Sequence, residues 1–323
     1  MDPRTPRWAT ERIDVSRWPV RHVETTGTNQ VVWLKAPDTG QLWLHKSVHV
    51  PSNGVAQGED WAEVVTTQAS MALRVPCAET RLCIRNGVPG SLSRSVVPAG
   101  CDLNEGGVVL EAACVPGYIR QTDNNKARDP RRPHVRRPGH NLSNINQVLR
   151  DVHPPPSFDG PVGCTGFDVF AGFLILDALV ANRDRHEQNW AVLRPRLTDQ
   201  PERLAPSYDH GGSLGYNLRE EGRETLLREP AGLEAWAAKG TAHRFEHAPP
   251  APTLVDHAAA AVRLCTPEAA QWWHAQLASL DLSELHGVLA TGVSGMSETA
   301  ATFASRVLDV NLRRLRDAIN GGA

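Results

Sequence analysis

One run limits what this chain can fold into more than any other. TGFDVFAGFLILDALVAN, residues 165–182, is apolar almost all round. An α-helix with no polar face belongs at the centre of a domain, where every side of it is covered. The stretch Phe167–Ala181 includes Asp168 and Asp177 and is too short to span a bilayer. The run ends in NRDRHEQNW, residues 182–190, which is crowded with ionisable and carboxamide side chains; the apolar Trp190-Ala191-Val192-Leu193 follows at once. Polar groups leaving a buried helix are costly unless they are paired or bind something. Loops held on such a scaffold tend to carry function.

The segments around this helix divide the chain into a strand-rich first third and a helix-rich remainder. VVWLKAP (31–37) and QLWLHKSVHV (41–50) are rich in β-branched and aromatic residues and are joined by Pro37-Asp38-Thr39-Gly40, which predicts a hairpin. In 58–76, Trp61, Val64, Val65, Ala69, Ala72 and Leu73 fall at helical spacing, with Pro76 after the stop. Residues 80–98 predict two strands around Asn86-Gly87 and Pro89-Gly90, and GGVVLEAACV (106–115) predicts another. Beyond the central helix, 253–264, 267–280 and 297–319 have helical periodicity. The expected class is α+β with segregated halves, divided into 1–112 and 113–323. At 323 residues this is two domains or one large bilobal unit.

Composition excludes several classes. The formal net charge of −2 argues against a general nucleic-acid binder. Cys77, Cys83, Cys101, Cys114, Cys164 and Cys265 form no C-x-x-C pair, which predicts buried thiols in a reducing cytoplasm rather than a zinc site. The first fifteen residues contain no apolar core segment, so no signal peptide is expected. Residues 120–140 concentrate Lys126, Arg128, Arg131, Arg132, Arg136 and Arg137 among prolines. That loop is either a solvated insertion or a grip for an anionic partner. HPPPSFDGP (153–161) is a second loop.

The chemistry is read from Asp184, Asn189 and Asp209. The last of these stands in APSYDHGGSLG (205–215), before Gly211-Gly212. One carboxylate to accept a nucleophile's proton, with an amide and a second carboxylate to hold Mg²⁺ against nucleotide phosphates, is the inventory of phosphoryl transfer. A strand lysine completes it. Lys46 shares a face with Leu42 and Leu44, so its stem is expected on the core side and its ammonium at the phosphates. Glu63 on the following helix could hold that lysine; Lys35 and Glu59 are the rivals.

With those residues in place, the chain resembles the HipA-like branch of the protein-kinase-like fold. NRDRHEQN, YDHGG, the strand lysine and the helical glutamate carry the likeness, and DRHEQN also resembles the D-R-H-x-x-N loop of phosphatidylinositol kinases. The resemblance implies a bilobal fold with a β-rich N-lobe and a mainly helical C-lobe. It implies Asp184 as catalytic base, Asn189 and Asp209 as Mg²⁺ ligands, and Lys46 on ATP phosphates with Glu63 as partner. Gly27-Thr28-Asn29 would be the loop over the phosphates, and Glu111 and Ala113, in a hinge near Leu110–Ala113, would hold adenine. His186 would touch phosphate or metal, or else brace its own loop. Arg185 would offset transition-state charge or form a structural ion pair.

The sequence departs from the family pattern in having no G-x-G-x-x-G, and at 323 residues it is not expected to include the extra N-terminal domain of the toxin members. Three readings stay open. One is an ATP- and Mg²⁺-dependent kinase acting on Ser or Thr of a protein or peptide. The second is the same chemistry on a small-molecule or lipid-type acceptor. The third is a nucleotide-binding pseudokinase that recruits a partner. No membrane insertion is expected. Trp272-Trp273 are expected to pack.

Overall fold

The computed structural model of the chain describes residues 7–24, 31–52, 54–121, 129–197 and 199–321. It begins with α1 (Arg7–Thr10), β1 (Ile13–Asp14), β2 (Val20–Glu24), β3 (Val31–Lys35) and β4 (Leu42–Ser47). Next come α2 (Glu59–Leu73), β5 (Thr80–Arg85) and β6 (Val88–Arg94). The strands form a six-stranded sheet in the order β1-β5-β6-β4-β3-β2. Asn86 and Gly87 both have positive φ, at 51° and 78°, which is how a two-residue turn matches the twist of the β5–β6 hairpin.

β3 and β4 pair antiparallel with Val31 opposite Lys46 and Lys35 opposite Leu42. The alternation along β4 buries Trp43 and His45 and leaves Lys46 partly exposed. Leu44 and Lys46 therefore face a cleft, and the core side belongs to Trp43 and His45, a correction to the expected placement of the lysine stem. The indole decides this: it is the larger apolar group, and it joins Val32, Leu34, Cys83 and Leu92 in a small sheet core.

The chain then enters a second layer. β7 (Cys101–Glu105) pairs antiparallel with β8 (Ala191–Pro195), which pairs with β9 (Arg203–Leu204). Residues 106–112 form α3 (Gly106–Ala112), not the expected strand. A short apolar run is ambiguous by periodicity, and position decides here. The Gly106 and Gly107 N–H groups donate to the Trp190 and Glu187 carbonyls at 2.8 and 3.0 Å, which turns the chain out of β7. No side chain fits at Gly106, where a Cβ would meet the Trp190 ring at 2.0 Å.

The helical part contains α4 (Leu142–Leu149), α5 (Gly166–Leu179), α6 (Glu220–Arg228), α7 (Pro230–Ala238), α8 (Leu254–Val262), α9 (Pro267–Ser279), α10 (Ser283–Thr291) and α11 (Glu298–Asn320). Every residue of α5 is buried, and α4, α8, α9 and α11 surround it. A capping box starts α5: the Thr165 hydroxyl accepts from the Asp168 N–H, and Asp168 accepts from the Thr165 N–H. Asp168 also accepts from the Thr266 N–H at 2.8 Å at the start of α9, and its carbonyl accepts from the Trp273 indole at 2.8 Å. Trp273 is fully buried and Trp272 stacks edge-on against it and Phe158, so the pair packs as expected. The fold is a mixed α+β architecture with a sheet-rich lobe and a mainly helical lobe. Among the described residues, no helix is long and apolar enough to cross a membrane.

Candidate active site

The loop after α5 is built from its own backbone. Ala181 takes a left-handed conformation, φ 56°, at the helix end. The Asn182 side chain donates to Asp177 at 2.8 Å and accepts from the Asp184 N–H at 3.1 Å. The Asn189 amide then donates from Nδ2 to the Asp184 carbonyl at 2.8 Å, closing the loop on itself. That bond also sets the amide's orientation, leaving Oδ1 as its remaining acceptor.

Arg185 sits under this loop, 2% exposed, and anchors it. Its guanidinium donates to both carboxylate oxygens of Asp177 at 2.8 Å, to the Asn189 carbonyl at 2.5 Å and to the Ser207 hydroxyl at 2.9 Å. The structural ion pair is thus the role Arg185 takes, joining α5, the loop and the Asp209 segment. A buried pair with so many satisfied donors holds geometry, and removing one partner would strand the other charge.

Asp209 has φ 62°, in the left-handed region that a non-glycine residue adopts only under constraint. The constraint is visible at the next residue, whose N–H (His210) donates to Glu63 Oε2 at 3.0 Å. Held this way, Asp209 meets Lys46: Nζ lies 2.5 Å from Oδ1, with the two side chains 31% and 39% exposed. Burial disfavours both charges. Their mutual attraction outweighs it, with Glu63 and Glu59 adding to the lysine's side, so Lys46 is held above and Asp209 below its ordinary pKa.

Glu63 is the buried partner expected for Lys46, but the ion pair of Lys46 is with Asp209. Glu63 acts one step behind, fixing the Asp209 backbone through His210 while contributing negative charge toward the lysine. Glu59, the rival, accepts from the His49 N–H at 3.2 Å.

Two cavities meet at this loop. The first, about 350 Å³, lies between the lobes and takes Lys46, Asn189, Asp209 and His186 into its wall, under an apolar roof of Val31, Trp33 and Leu44. Its far side is the interlobe link Arg94–Val97 together with Leu103 and Glu105. The second, about 590 Å³, includes Asp184 beside Arg183 and Gly212. The catalytic-type loop is therefore the partition: its early residues face one cavity and its late residues the other. Asp184 is partly exposed, and its Oδ1 lies 2.5 Å from Arg244 Nη2. His186 braces the loop, with Nδ1 accepting from the Gln188 N–H at 3.2 Å. Burial holds its pKa low against the pull of Asp184 and Asp209 on either side.

Other expected positions lie elsewhere. Glu111 and Ala113 are exposed at the end of α3, outside the interlobe cavity, and Glu111 is paired with Arg120 at 3.1 Å. The link beside that cavity is Arg94–Val97, because β6 leaves the first sheet there. Lys35, the rival lysine, is exposed and does not line either cavity. Gly27, Thr28 and Asn29, like Lys126 and Arg128, lie outside the described residues. Within the basic loop, Arg132 is tied to Asp129 and Glu246 at 2.9 and 3.1 Å, so it is part of the scaffold. Sequence reasoning missed Arg244, Trp33 and the 94–97 link; no motif marks any of them.

Among the described residues, no cluster of three or more His, Cys, Asp or Glu side chains could hold a metal ion. Asn189 Oδ1 and the Asp209 carboxylate are nonetheless hard oxygen donors on one cavity wall. That pair fits Mg²⁺, which keeps waters and takes phosphate oxygens for the rest of its shell.

No protein-family profile matches the chain, and no curated protein matches it in sequence. Solved structures do match. The Helicobacter pylori proinflammatory kinase CtkA superposes with a TM-score of 0.70 at 13% identity, covering 97% of this chain and 100% of that one. HipA of Shewanella oneidensis, solved with HipB and its operator DNA, matches with a TM-score of 0.41 at 10% identity, covering 95% of this chain and 67% of that one. The first likeness shows the fold along nearly the whole chain.

Proposed function

We propose that the chain is an ATP- and Mg²⁺-dependent kinase that transfers the γ-phosphoryl group to a hydroxyl, that of Ser or Thr in a protein or peptide. One observation carries this reading: Lys46 and Asp209 form an ion pair on the wall of an interlobe cavity, beside an Asn189 amide whose orientation the Asp184 carbonyl fixes. A lysine, a carboxylate and an amide oxygen at a cleft between a β-rich and a helical lobe make a phosphate- and metal-binding set. The likeness to a kinase fold agrees with it.

Each residue has a separate task. Val31, Trp33 and Leu44 offer an apolar surface for a flat base, and the Arg94–Val97 link offers backbone groups at its edge. Lys46 places positive charge against phosphate oxygens. Asn189 and Asp209 would hold Mg²⁺, which when bound neutralises phosphate charge. Asp184 orients the acceptor hydroxyl and takes its proton as the new O–P bond forms and the bond from the γ-phosphorus to the ADP oxygen breaks. ADP is the leaving group, so charge and atoms balance. His186 and Arg185 keep the loop in register.

Replacing Asp184 with Asn keeps the loop's shape and removes the base. Phosphotransfer measured with labelled ATP should fall by a factor of roughly 10²–10⁴, while nucleotide affinity stays near the wild-type value. Equal turnover by the two proteins would remove Asp184 from this role.

A further inference from the structure

The second cavity faces the side of the loop where the acceptor must arrive, and its charge is one-sided. Among the described residues, Asp184 is the only carboxylate on a wall that also includes Arg183, Lys239, His243 and Arg244. Arg244 is committed to Asp184 at 2.5 Å. Its buried Nε has no hydrogen-bond partner among the described residues. Arg183 and Lys239 are exposed, and among the described residues neither side chain has a hydrogen bond or an ion pair. Arg137 adds to the same field. Burial holds its pKa below the ordinary arginine value, and so does Arg244, against the pull of Glu187 and Asp184.

A cavity whose free charges are all positive attracts and orients anions. The surplus stands beside the proton-accepting carboxylate and apart from the interlobe cavity, so nucleotide phosphates bound there leave it unneutralised. The two free cations are on flexible side chains at an open rim. Arg183 precedes Asp184 in the loop, and Lys239 caps the end of α7. Cations that share a cavity wall with a reacting group suit an extended chain, in which successive residues are about 3.3–3.6 Å apart and can offer charges next to a central hydroxyl.

Building on the kinase reading, we propose that this cavity seats an acidic peptide, a Ser or Thr flanked by Asp or Glu. Arg183 and Lys239 pair with the flanking carboxylates, and the hydroxyl meets Asp184.

The test uses the full chain with Mg·ATP and peptides that differ only in whether the residues around a central Ser are acidic, neutral or basic. The acidic peptide should show kcat/KM roughly tenfold above the neutral one, mainly through KM. Arg183→Gln with Lys239→Gln should erase that margin, and Arg183→Glu with Lys239→Glu should move the preference to the basic peptide. Both sites are exposed, and unchanged thermal melting of each variant would show that folding is intact. Equal use of acidic and neutral peptides by the wild type, or a margin that survives the double substitution, would overturn the assignment. So would transfer to a small phosphorylated polyol and to none of the peptides. Binding of labelled acidic and basic peptides, followed by fluorescence polarisation, separates this inference from the kinase reading. Selective acidic binding without phosphotransfer counts against the kinase alone. Phosphotransfer without acidic preference counts against the cavity alone.

Discussion

At the scale of single residues, the site depends on side chains that act through the backbone. Glu63 constrains Asp209 by holding the next N–H, and Arg185 fixes Asn189 by holding its carbonyl. The sequence marked Arg185, Asn189 and Asp209 because the loop and the Asp-His-Gly-Gly segment are dense in chemistry, and Glu63 as a helical partner for the strand lysine. Which groups touch is another matter: Lys46 meets Asp209 and not Glu63 because the left-handed turn at Asp209 carries its carboxylate to the lysine.

Two histidines outside the site give a pH prediction. His45 and His257 are buried, at 1% and 8% exposure. Burial pulls His45 from 6.5 to about 4, with Arg85 adding to it, and pulls His257 to about 3, with His140 adding to it. The folded values lie below the unfolded one. Both rings therefore contribute stability that is complete above about pH 6.5 and is lost as pH falls towards 4 and then 3. The unfolding free energy from urea titrations should drop across that window by on the order of 1–3 kcal/mol per ring, with a matching fall in the midpoint, and His45→Leu should flatten the first part of the drop. A midpoint that does not change between pH 7 and pH 4 would contradict this.

At the scale of elements, α5 shows most clearly how packing follows from composition. Its apolar surface placed it at the centre of the helical lobe, and its capping box is legible as Thr165 and Asp168 in the sequence. The need for glycine at 172 is not legible. A Cβ there would meet the Trp273 ring at 2.2 Å, and that indole is fixed by its bond to the Asp168 carbonyl. Gly172→Ala should cost about 1–3 kcal/mol, read as a lower melting temperature, and Gly172→Ala with Trp273→Leu should recover part of the loss. An alanine variant as stable as the wild type would show that the indole can move. α3 makes the opposite case. Its apolar run predicts a strand, and the helix forms because Gly106 and Gly107 hydrogen-bond to the loop carbonyls at 187 and 190. Those partners lie far along the chain, where local periodicity carries no information about them.

At the scale of the whole molecule, two lobes enclose a cleft that one ligand would bridge. Lys46 comes from the sheet, and Asn189 and Asp209 come from the helical lobe, so a nucleotide with its metal should stabilise both together. At a hundredfold excess over Kd, Mg·ATP should contribute about 2.7 kcal/mol, a rise of several degrees in melting temperature for a chain of this size. Asp209→Asn should lose the part of that rise that depends on Mg²⁺. No shift with Mg·ATP in the wild type would remove the nucleotide from the cleft.

The sequence by itself determined that a strand-rich first third precedes a mainly helical remainder, the burial of α5 and the clustering of ionisable groups at residues 182–190 and 207–212. These features rest on hydrophobic periodicity and on local spacing, both of which are written within a few residues. Only the tertiary structure decided that α3 is a helix, that Arg94–Val97 borders the cleft, that Arg244 reaches Asp184 and that the catalytic-type loop separates two cavities. Each of these depends on groups from distant segments meeting at a few ångströms, and which segments meet is settled when the whole core packs.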